Sequence, residues 1–413
     1  MSESKISRRE FLVSSAVGAA SVALTGAASL STSAAVGAND QISVGIIGAG
    51  GRAGQLMGDI HRVADSRNVR ITAICDTWRP AREKAAKTVK DWWGNDCRLF
   101  SNYEDLLALD DVDAVVIATP DFAHSRILID SVKAGKDAYC EKPMSSTLED
   151  ANGVLDAVTQ TKRVVQIGTQ RRSEGAWKGL VKMVQAGTLG TISRVEIGWN
   201  DAGPRWSRGF SDLKAEDVDW KRFLMGHPDR PFDPVQYRRW HFYREFTNGT
   251  ISLLGSHYID VASWVMDDPF PTTAVGLGGN YVWKDGREHE DTMYVLFDYP
   301  KGFMCRYLSG LGNSAESGMR IYGTNGMFAE STWTFTGTGG SGKTAIKEPI
   351  KVVREPNDDH MGNWFDCIRS RATPNASVEA GYRHSIAGIL GYQAMMTGKR
   401  LKFLPVLRRI VEA

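Results

Sequence analysis

From Gln41 onward, short apolar runs alternate with longer amphipathic stretches. Residues 42–47, 69–75, 114–118, 138–140 and 164–168 are too apolar to be half-exposed strands, so they read as strands buried on both faces. Between them, helical periodicity runs from the Gly-rich turn after residue 47 to about 63, then over 79–93, 103–109 and 124–134. Strands and helices alternating at this interval predict an α/β domain with a parallel, doubly wound sheet over residues 39–167. After Gly168 the texture changes. A helix is expected at 177–186, followed by strand-like stretches at 192–199, 273–281, 292–299 and 303–309. Helices at 251–266 and 379–397 complete an α+β domain over 168–413, with a largely antiparallel open sheet. The Gly/Ser run 337–343 reads as a loop, and no internal repeat is present.

Residues 1–38 are set apart from the fold. Ser7-Arg8-Arg9-Glu10-Phe11-Leu12 leads into an Ala-rich apolar stretch and then small residues at Ser33-Ala34-Ala35 or Val36-Gly37-Ala38. This is similar to a twin-arginine export signal, so the mature protein is expected outside the cytoplasm, periplasmic or extracytoplasmic. Gly18, Ser21, Thr25 and Gly26 interrupt the stretch, so no permanent membrane span is expected after its removal.

Composition narrows the partners. Lys and Arg number 50 against 48 Asp and Glu, a net charge of +2, which gives no reason to invoke nucleic acid or an anionic membrane. Five scattered cysteines form neither a disulfide framework nor a zinc pattern, and the eight histidines include no pair at i, i+4, so no metal site is expected.

Gly48-Ala49-Gly50-Gly51-Arg52-Ala53-Gly54 follows the first strand directly and opens a helix, fitting G-x-G-x-x-A. Gly48 permits the tight turn, Gly50 lets the backbone approach a pyrophosphate, and Ala53 lets the helix pack closely; Gly51 and Arg52 share the turn. The helix N-terminus offers N–H groups to phosphate. Asp76 ends the second strand, where a carboxylate accepts ribose hydroxyls and repels a 2′-phosphate, so NAD is favoured over NADP; Arg79 is the counter-argument.

Further on come Thr119-Pro120-Asp121-Phe122-Ala123-His124, Glu141-Lys142-Pro143, Gly168-Thr169-Gln170-Arg171-Arg172, Arg239-Trp240-His241-Phe242-Tyr243, Gly255-Ser256-His257-Tyr258-Ile259-Asp260 and Asn363-Trp364-Phe365-Asp366. On these the chain resembles the Gfo/Idh/MocA family (glucose–fructose oxidoreductase, inositol dehydrogenase, rhizopine catabolism) over nearly its whole mature length. The resemblance implies a site between two domains. Thr119 and Pro120 would lie along the nicotinamide, with His124 on the same cofactor side, and Glu141 and Lys142 would lie near its ribose and the substrate. It casts Lys142 as the group that contacts the reacting hydroxyl, and His257 as the base. One position departs: the family commonly places Asp four residues before this His, where the chain has Leu253.

Residues 199–246 are rich in aromatic and basic side chains, among them Trp199, Arg205, Trp206, Arg208, Trp240, His241, Tyr243 and Arg244. Aromatic faces stack on sugar rings while Arg and His bind hydroxyls, so a carbohydrate substrate is expected, with Trp206 and Tyr243 among its contacts. Arg171 and Arg172 either face substrate or form a salt bridge across domains. The leading reading is an NAD(P)-dependent oxidoreductase acting on a sugar, glycoside or cyclitol hydroxyl with tightly bound NAD. The alternatives are a redox-neutral, NAD-dependent glycosidase working by oxidation and elimination, and a catalytically silent NAD- or sugar-binding protein. The apolar open sheet face predicts a homo-oligomer, dimer or tetramer.

Overall fold

The structure is a computed structural model that describes residues 40–413; residues 1–38, where an export signal is expected, lie outside them. Six parallel strands form the first sheet: β1 (Ile42–Ile47), β2 (Val69–Cys75), β3 (Arg98–Phe100), β4 (Ala114–Ile117), β5 (Asp137–Cys140) and β6 (Val165–Ile167). Their order is β3-β2-β1-β4-β5-β6, so the chain reverses direction beside β1 and opens a crevice at the carboxyl ends of β1 and β4. β1, β4, β5 and β6 are buried at every position, as their unbroken apolar character requires. β3 is not foreseen by the apolar runs, because Arg98, Leu99 and Phe100 form an edge strand with only partial burial. The helix Leu148–Thr161 is also new; Thr147 caps it by accepting the Asp150 amide at 3.1 Å.

The second sheet is centred on β7 (Ile192–Asp201), β8 (Thr273–Gly279), β9 (Thr292–Tyr299) and β10 (Phe303–Leu311). With β11 (Gly318–Gly323), β12 (Gly326–Ala329), β13 (Thr334–Thr336), β14 (Ile350–Lys351), β15 (Leu401–Leu404) and β16 (Arg409–Glu412) it has ten strands among the described residues. Their order is β14-β13-β12-β11-β7-β10-β9-β8-β15-β16. The sheet is antiparallel except for the β7–β10 pair, which is parallel. In β9, Met293, Val295, Phe297 and Tyr299 face the core while Tyr294 and Leu296 face outward. Helices Ser256–Met266 and Val378–Thr397 cover the inner face. The outer face leaves Val275, Leu277, Tyr294, Leu296 and Met304 exposed.

Two features carry the second sheet's connections back to the crevice. Helix His360–Ser370 packs Met361, Trp364 and Phe365 into the core of the first sheet, and Asp366 pairs with Arg67 at 2.9 Å. The excursion after β7 sends Val218 into a β-bridge with Trp78, and the Asp219 amide donates to the Thr77 carbonyl at 2.8 Å. Arg79 pairs there with Asp217, and the Arg238 guanidinium lies 4.8 Å from the centre of the Trp78 ring.

Candidate functional site: a dinucleotide cleft beside a tryptophan-lined wall

The turn after β1 is shaped by contact. Gly48 has a φ of +85°, and a Cβ there would stand 2.7 Å from the Thr119 amide nitrogen, so only glycine lets the two strand-end turns meet. By contrast, a Cβ on Gly50 or Gly51 would meet nothing within 4 Å. That free volume lies at the N-terminus of helix Gly51–Arg67, whose first amides have no side-chain cap. Ala53 is fully buried against the sheet. Asp76 accepts the Ala49 amide at 2.6 Å and the Trp78 amide at 2.7 Å, so it fastens the glycine turn to the end of β2. Each carboxylate oxygen keeps a lone pair.

A cavity of about 1620 Å³ runs along these turns. Gly48, Gly50, Arg52, Asp76, Thr119 and Pro120 line one side, and the excursion closes the other with Arg222, Phe223, Arg238, Trp240 and His241. Uncapped amides, open glycine faces and a strand-end carboxylate fit a dinucleotide.

Glu141 follows β5 and is buried. It accepts Arg52 Nε at 2.6 Å and the Lys142 amide at 3.1 Å. A Cβ on Gly168 would come within 2.8 Å of that carboxylate, which explains glycine at the end of β6. The Gln170 amide nitrogen donates to the Gly168 carbonyl at 2.8 Å, and its oxygen accepts from Arg52. His124 faces the Pro143 carbonyl with Nδ1 (2.8 Å) and the Thr119 carbonyl with Nε2 (2.9 Å), bracing the β4 turn against the Lys142 turn. It is buried and absent from the cavity lining, so the expected cofactor contact is not seen at His124, which instead braces the two turns from behind.

Lys142 reaches across to the second half of the chain, where its Nζ donates to the Leu253 carbonyl at 2.7 Å. Residues Ile251–Gly255 form a π-helical turn ahead of helix Ser256–Met266, a deformation common at functional sites. Burial pushes the Lys142 ammonium below its ordinary range, while Glu141 and Asp121 pull it back up. The Leu253 side chain packs with Leu254 and Leu311 against Trp199, Trp206, Trp240 and Trp283. An apolar residue at 253 therefore belongs to an aromatic wall. His241 is stacked between Trp240 (3.7 Å) and Trp206 (5.2 Å). Trp206 takes a left-handed φ of +67°, a costly backbone for an aromatic residue. His257 lies against Trp199, with ring centres 5.7 Å apart. Burial, followed by the charges of Lys142 and Arg171, holds His257 well below its ordinary value, so it is neutral and a weaker base than a free imidazole.

Lys142, Trp206 and His257 are not among the cavity-lining residues, and the remaining expected contacts also lie elsewhere. Arg172 is buried and gives both Nε and Nη2 to Asp260, at 2.9–3.0 Å. Arg171 lies over Tyr258 (3.9 Å) and Trp177 (4.9 Å). Tyr243 packs toward Phe246 in the cluster around Trp220 and Phe223, and does not line the cavity. Two residues quoted in the family motifs but given no role of their own also join these turns: Gln170, and Asp121, whose Oδ2 accepts Thr247 Oγ1 at 2.8 Å. Both stand beside residues that were marked, and a polar side chain next to a buried strand end is the signal that would have found them.

The fold and cleft together define a protein of two sheets whose N-terminal, Rossmann-type half carries a cleft fit for a dinucleotide. Residues 42–169 match the oxidoreductase family's NAD-binding Rossmann fold, and residues 224–403 match its C-terminal alpha/beta domain. The chain belongs to the Gfo/Idh/MocA family. It is 32% identical over 194 residues to an inositol 2-dehydrogenase of Rhizobium meliloti (strain 1021), covering 45% of this chain and 55% of that one. It is 36% identical over 174 residues to glycosyl hydrolase family 109 protein 2 of Shewanella sp. (strain ANA-3), covering 38% of each. These matches thus span about half the length of the curated relatives, or less. The WlbA dehydrogenase of Bordetella pertussis, solved with NADH and UDP-GlcNAcA, superposes with a TM-score of 0.64 at 21% identity, over 88% of this chain and 99% of that one.

Proposed function

We propose that this chain oxidises a ring hydroxyl of a sugar, glycoside or cyclitol, using NAD that stays bound between turnovers. The observation that carries this reading is the Lys142 ammonium, which follows β5 beside Glu141 and is held on the carbonyl of Leu253, a residue packed among four tryptophans. The glycine turn, the first amides of helix Gly51–Arg67 and Asp76 would hold the dinucleotide, with Thr119 and Pro120 beneath the nicotinamide. When bound, the nicotinamide is the acceptor for the hydrogen and two electrons that leave the carbinol carbon. Lys142 donates to the substrate oxygen and stabilises alkoxide character there, and neutral His257 takes the hydroxyl proton. Tryptophan faces stack on the ring. Arg79 is engaged by Asp217, which supports NAD over NADP. The relatives named for inositol 2-dehydrogenase support the hydroxyl class, and those named for glycosyl hydrolase family 109 support a second reading. In that reading transient oxidation permits loss of the glycosidic substituent and the redox state is restored. Export by the twin-arginine route, after folding with cofactor aboard, and pairing through the apolar outer sheet face belong to the same proposal.

The test is to purify the folded protein without added nucleotide, denature it, and identify what is released by mass spectrometry. About one NAD(H) per chain, with sugar-dependent cycling of its absorbance, supports the reading. An empty protein that takes up NAD only weakly overturns the retained cofactor. Free sugar released without net NADH moves the assignment to the glycosidase.

A further inference from the structure

The excursion between β7 and the π-helical turn carries a core of its own. Val218, Trp220, Phe223, Leu224 and Phe246 bury one another there, apart from the cores of the two sheets. Two side chains from turns of the first sheet pack against that small core: Trp78, after β2, and Phe122, after β4. We propose that residues 208–247 form a strap tied across the dinucleotide cleft, so that nucleotide enters and leaves only when the strap undocks. This rests on the reading of the cleft as the site of a retained NAD, and it supplies a physical cause for the retention.

In the first sheet β1 lies between β2 and β4, so the glycine turn lies between the turns that follow β2 and β4. The strap is fastened to both. On the β2 side Val218 bridges Trp78, and the Asp219 amide donates to the Thr77 carbonyl at 2.8 Å. Arg79 pairs with Asp217 there, and the Arg238 guanidinium lies 4.8 Å from the centre of the Trp78 ring. On the β4 side the Phe122 ring centre lies 4.9 Å from that of Phe246 and 5.6 Å from that of Phe223. Thr247 Oγ1 donates to Asp121 at 2.8 Å beside it. A segment held on both flanks of the glycine turn crosses it. The cavity lining records the crossing, with Gly50 and Asp76 on one side and Arg208, Arg222, Phe223 and Arg238 on the other.

The strap's buried apolar residues pack on one another, while Trp78 and Phe122, which fasten it, are only partly buried. Such a unit opens as a body at less cost than an element of the main core. Its inner charge favours closure over an anion. Arg238 is paired with Asp212 at 2.7 Å, but Arg208 lines the cavity and forms no ion pair among the described residues. Burial, followed by the charge of Arg238, lowers the Arg208 guanidinium from its ordinary value. A pyrophosphate in the cavity offsets that repulsion, so a bound dinucleotide favours the docked strap, and the docked strap keeps the dinucleotide in.

The test locks the strap and reads nucleotide exchange. Trp78 and Val218 are an antiparallel bridge pair, a separation that a disulfide spans. Trp78→Cys combined with Val218→Cys therefore gives a lock that reductant opens. NADH is loaded into the reduced double variant, the disulfide is closed, and release is followed by NADH fluorescence after mixing with excess NAD. The oxidised protein should release NADH about a hundredfold more slowly than the same protein reduced, and oxidised empty protein should take it up with a similar delay. Equal rates in the oxidised and reduced forms overturn the proposal. Should the double variant not fold, Asp217→Ala decides, because neither Asp217 nor Arg79 lines the cavity. Loosening that fastening should speed uptake and release together by about fivefold, leaving Kd nearly unchanged. Unchanged rates, or faster release alone, overturn the strap. A protein that binds NADH in neither form sinks the dinucleotide reading itself, whereas one that binds NADH and exchanges it equally fast when locked sinks the strap alone.

Discussion

Around the cleft, the cofactor side is taken from consecutive strand ends of one sheet: Gly48 after β1, Asp76 after β2, Thr119 and Pro120 after β4, Glu141 and Lys142 after β5. The facing wall has no such regularity. Trp199 ends a strand, Trp206 sits in an irregular excursion, Trp240 and His241 form a short 3₁₀ turn, Leu253 is π-helical, and Trp283 lies in a loop. The cofactor side is built by local rules, because a strand, a glycine turn and a helix N-terminus within one short unit already make a phosphate site. The wall is built by long-range packing, and each of its parts has meaning only when the others are in place. On the proposed function, dinucleotide binding would sit on the first kind of structure and substrate selection on the second.

The sharpest break of that comparison is at the one side chain that joins the two. Lys142→Ala should lower kcat/KM for sugar oxidation by about a thousandfold, within the range for a positioned proton-handling group. NAD affinity should change by no more than a few-fold, because the glycine turn and Asp76 are untouched. Steady-state kinetics with a nucleotide-binding titration check this, and a parallel collapse of NAD binding would show that Lys142 belongs to the cofactor side alone.

The wall itself is probed at Leu253, which is 7% exposed among four tryptophans. Leu253→Asp should destabilise the fold by about 3 kcal/mol or more, since the carboxylate would be set among tryptophan rings, with Lys142 on the Leu253 carbonyl and Arg205 over the Trp199 ring as the neighbouring cations. Leu253→Ala should cost about 2–3 kcal/mol through the cavity it leaves. Urea unfolding measures both. An aspartate tolerated without loss of stability would mean that the wall admits water or a charge, and that Leu253 is replaceable by the family's usual acid.

These two sides were legible to different degrees for the same reason. The apolar runs located five of the six strands of the first sheet, since strands buried on both faces carry their signal in every residue. β3 escaped because Arg98-Leu99-Phe100 is short and half-exposed. In the second sheet the alternating strands were readable, but β11 to β16 and the parallel β7–β10 pairing were not; pairing is decided by partners far away in sequence. The glycine turn and Asp76 could be named from local context. The sandwich of His241 between Trp206 and Trp240 could not, because neither periodicity nor spacing brings residue 206 to residue 241. Leu253 showed as a departure in the sequence, but only its tryptophan neighbours explain it.

A finer comparison is available within the glycine turn. Gly50 has an extended backbone (φ −74°, ψ −167°), which any residue adopts, and its Cβ would point into open space. Gly50→Val should therefore leave stability within about 1 kcal/mol of wild type while weakening NAD about a hundredfold, or ~2.7 kcal/mol. Gly48→Ala should instead compromise folding, because its Cβ would strike the Thr119 backbone. Thermal unfolding with nucleotide titration separates the two. Equal effects at the two glycines would show that the open face at Gly50 is not where the dinucleotide lies.

The smallest expected effect is a slope. Asp121 has a folded value raised from 3.8 to about 7 by burial. Below about pH 4 the carboxyl is protonated in both folded and unfolded chains and does not influence the balance. Between about pH 4 and 7 the folded chain keeps the proton and the unfolded chain has lost it, so the unfolded state binds fewer protons. Stability from this group then falls as pH rises, by at most about 1.4 kcal/mol per pH unit, and levels off above about pH 7. Asp121→Asn removes the titration, and groups that do not feel Asp121 cancel when the variant is compared with wild type at each pH. Its stability relative to wild type should climb from about pH 5 to 7 and then stay constant, as read by urea unfolding across that range. A difference that does not vary with pH would mean that Asp121 is ionised throughout, as a carboxylate firmly paired with Lys142 would be; the cofactor side would then reach further into the substrate wall than the hydrogen bonds alone describe.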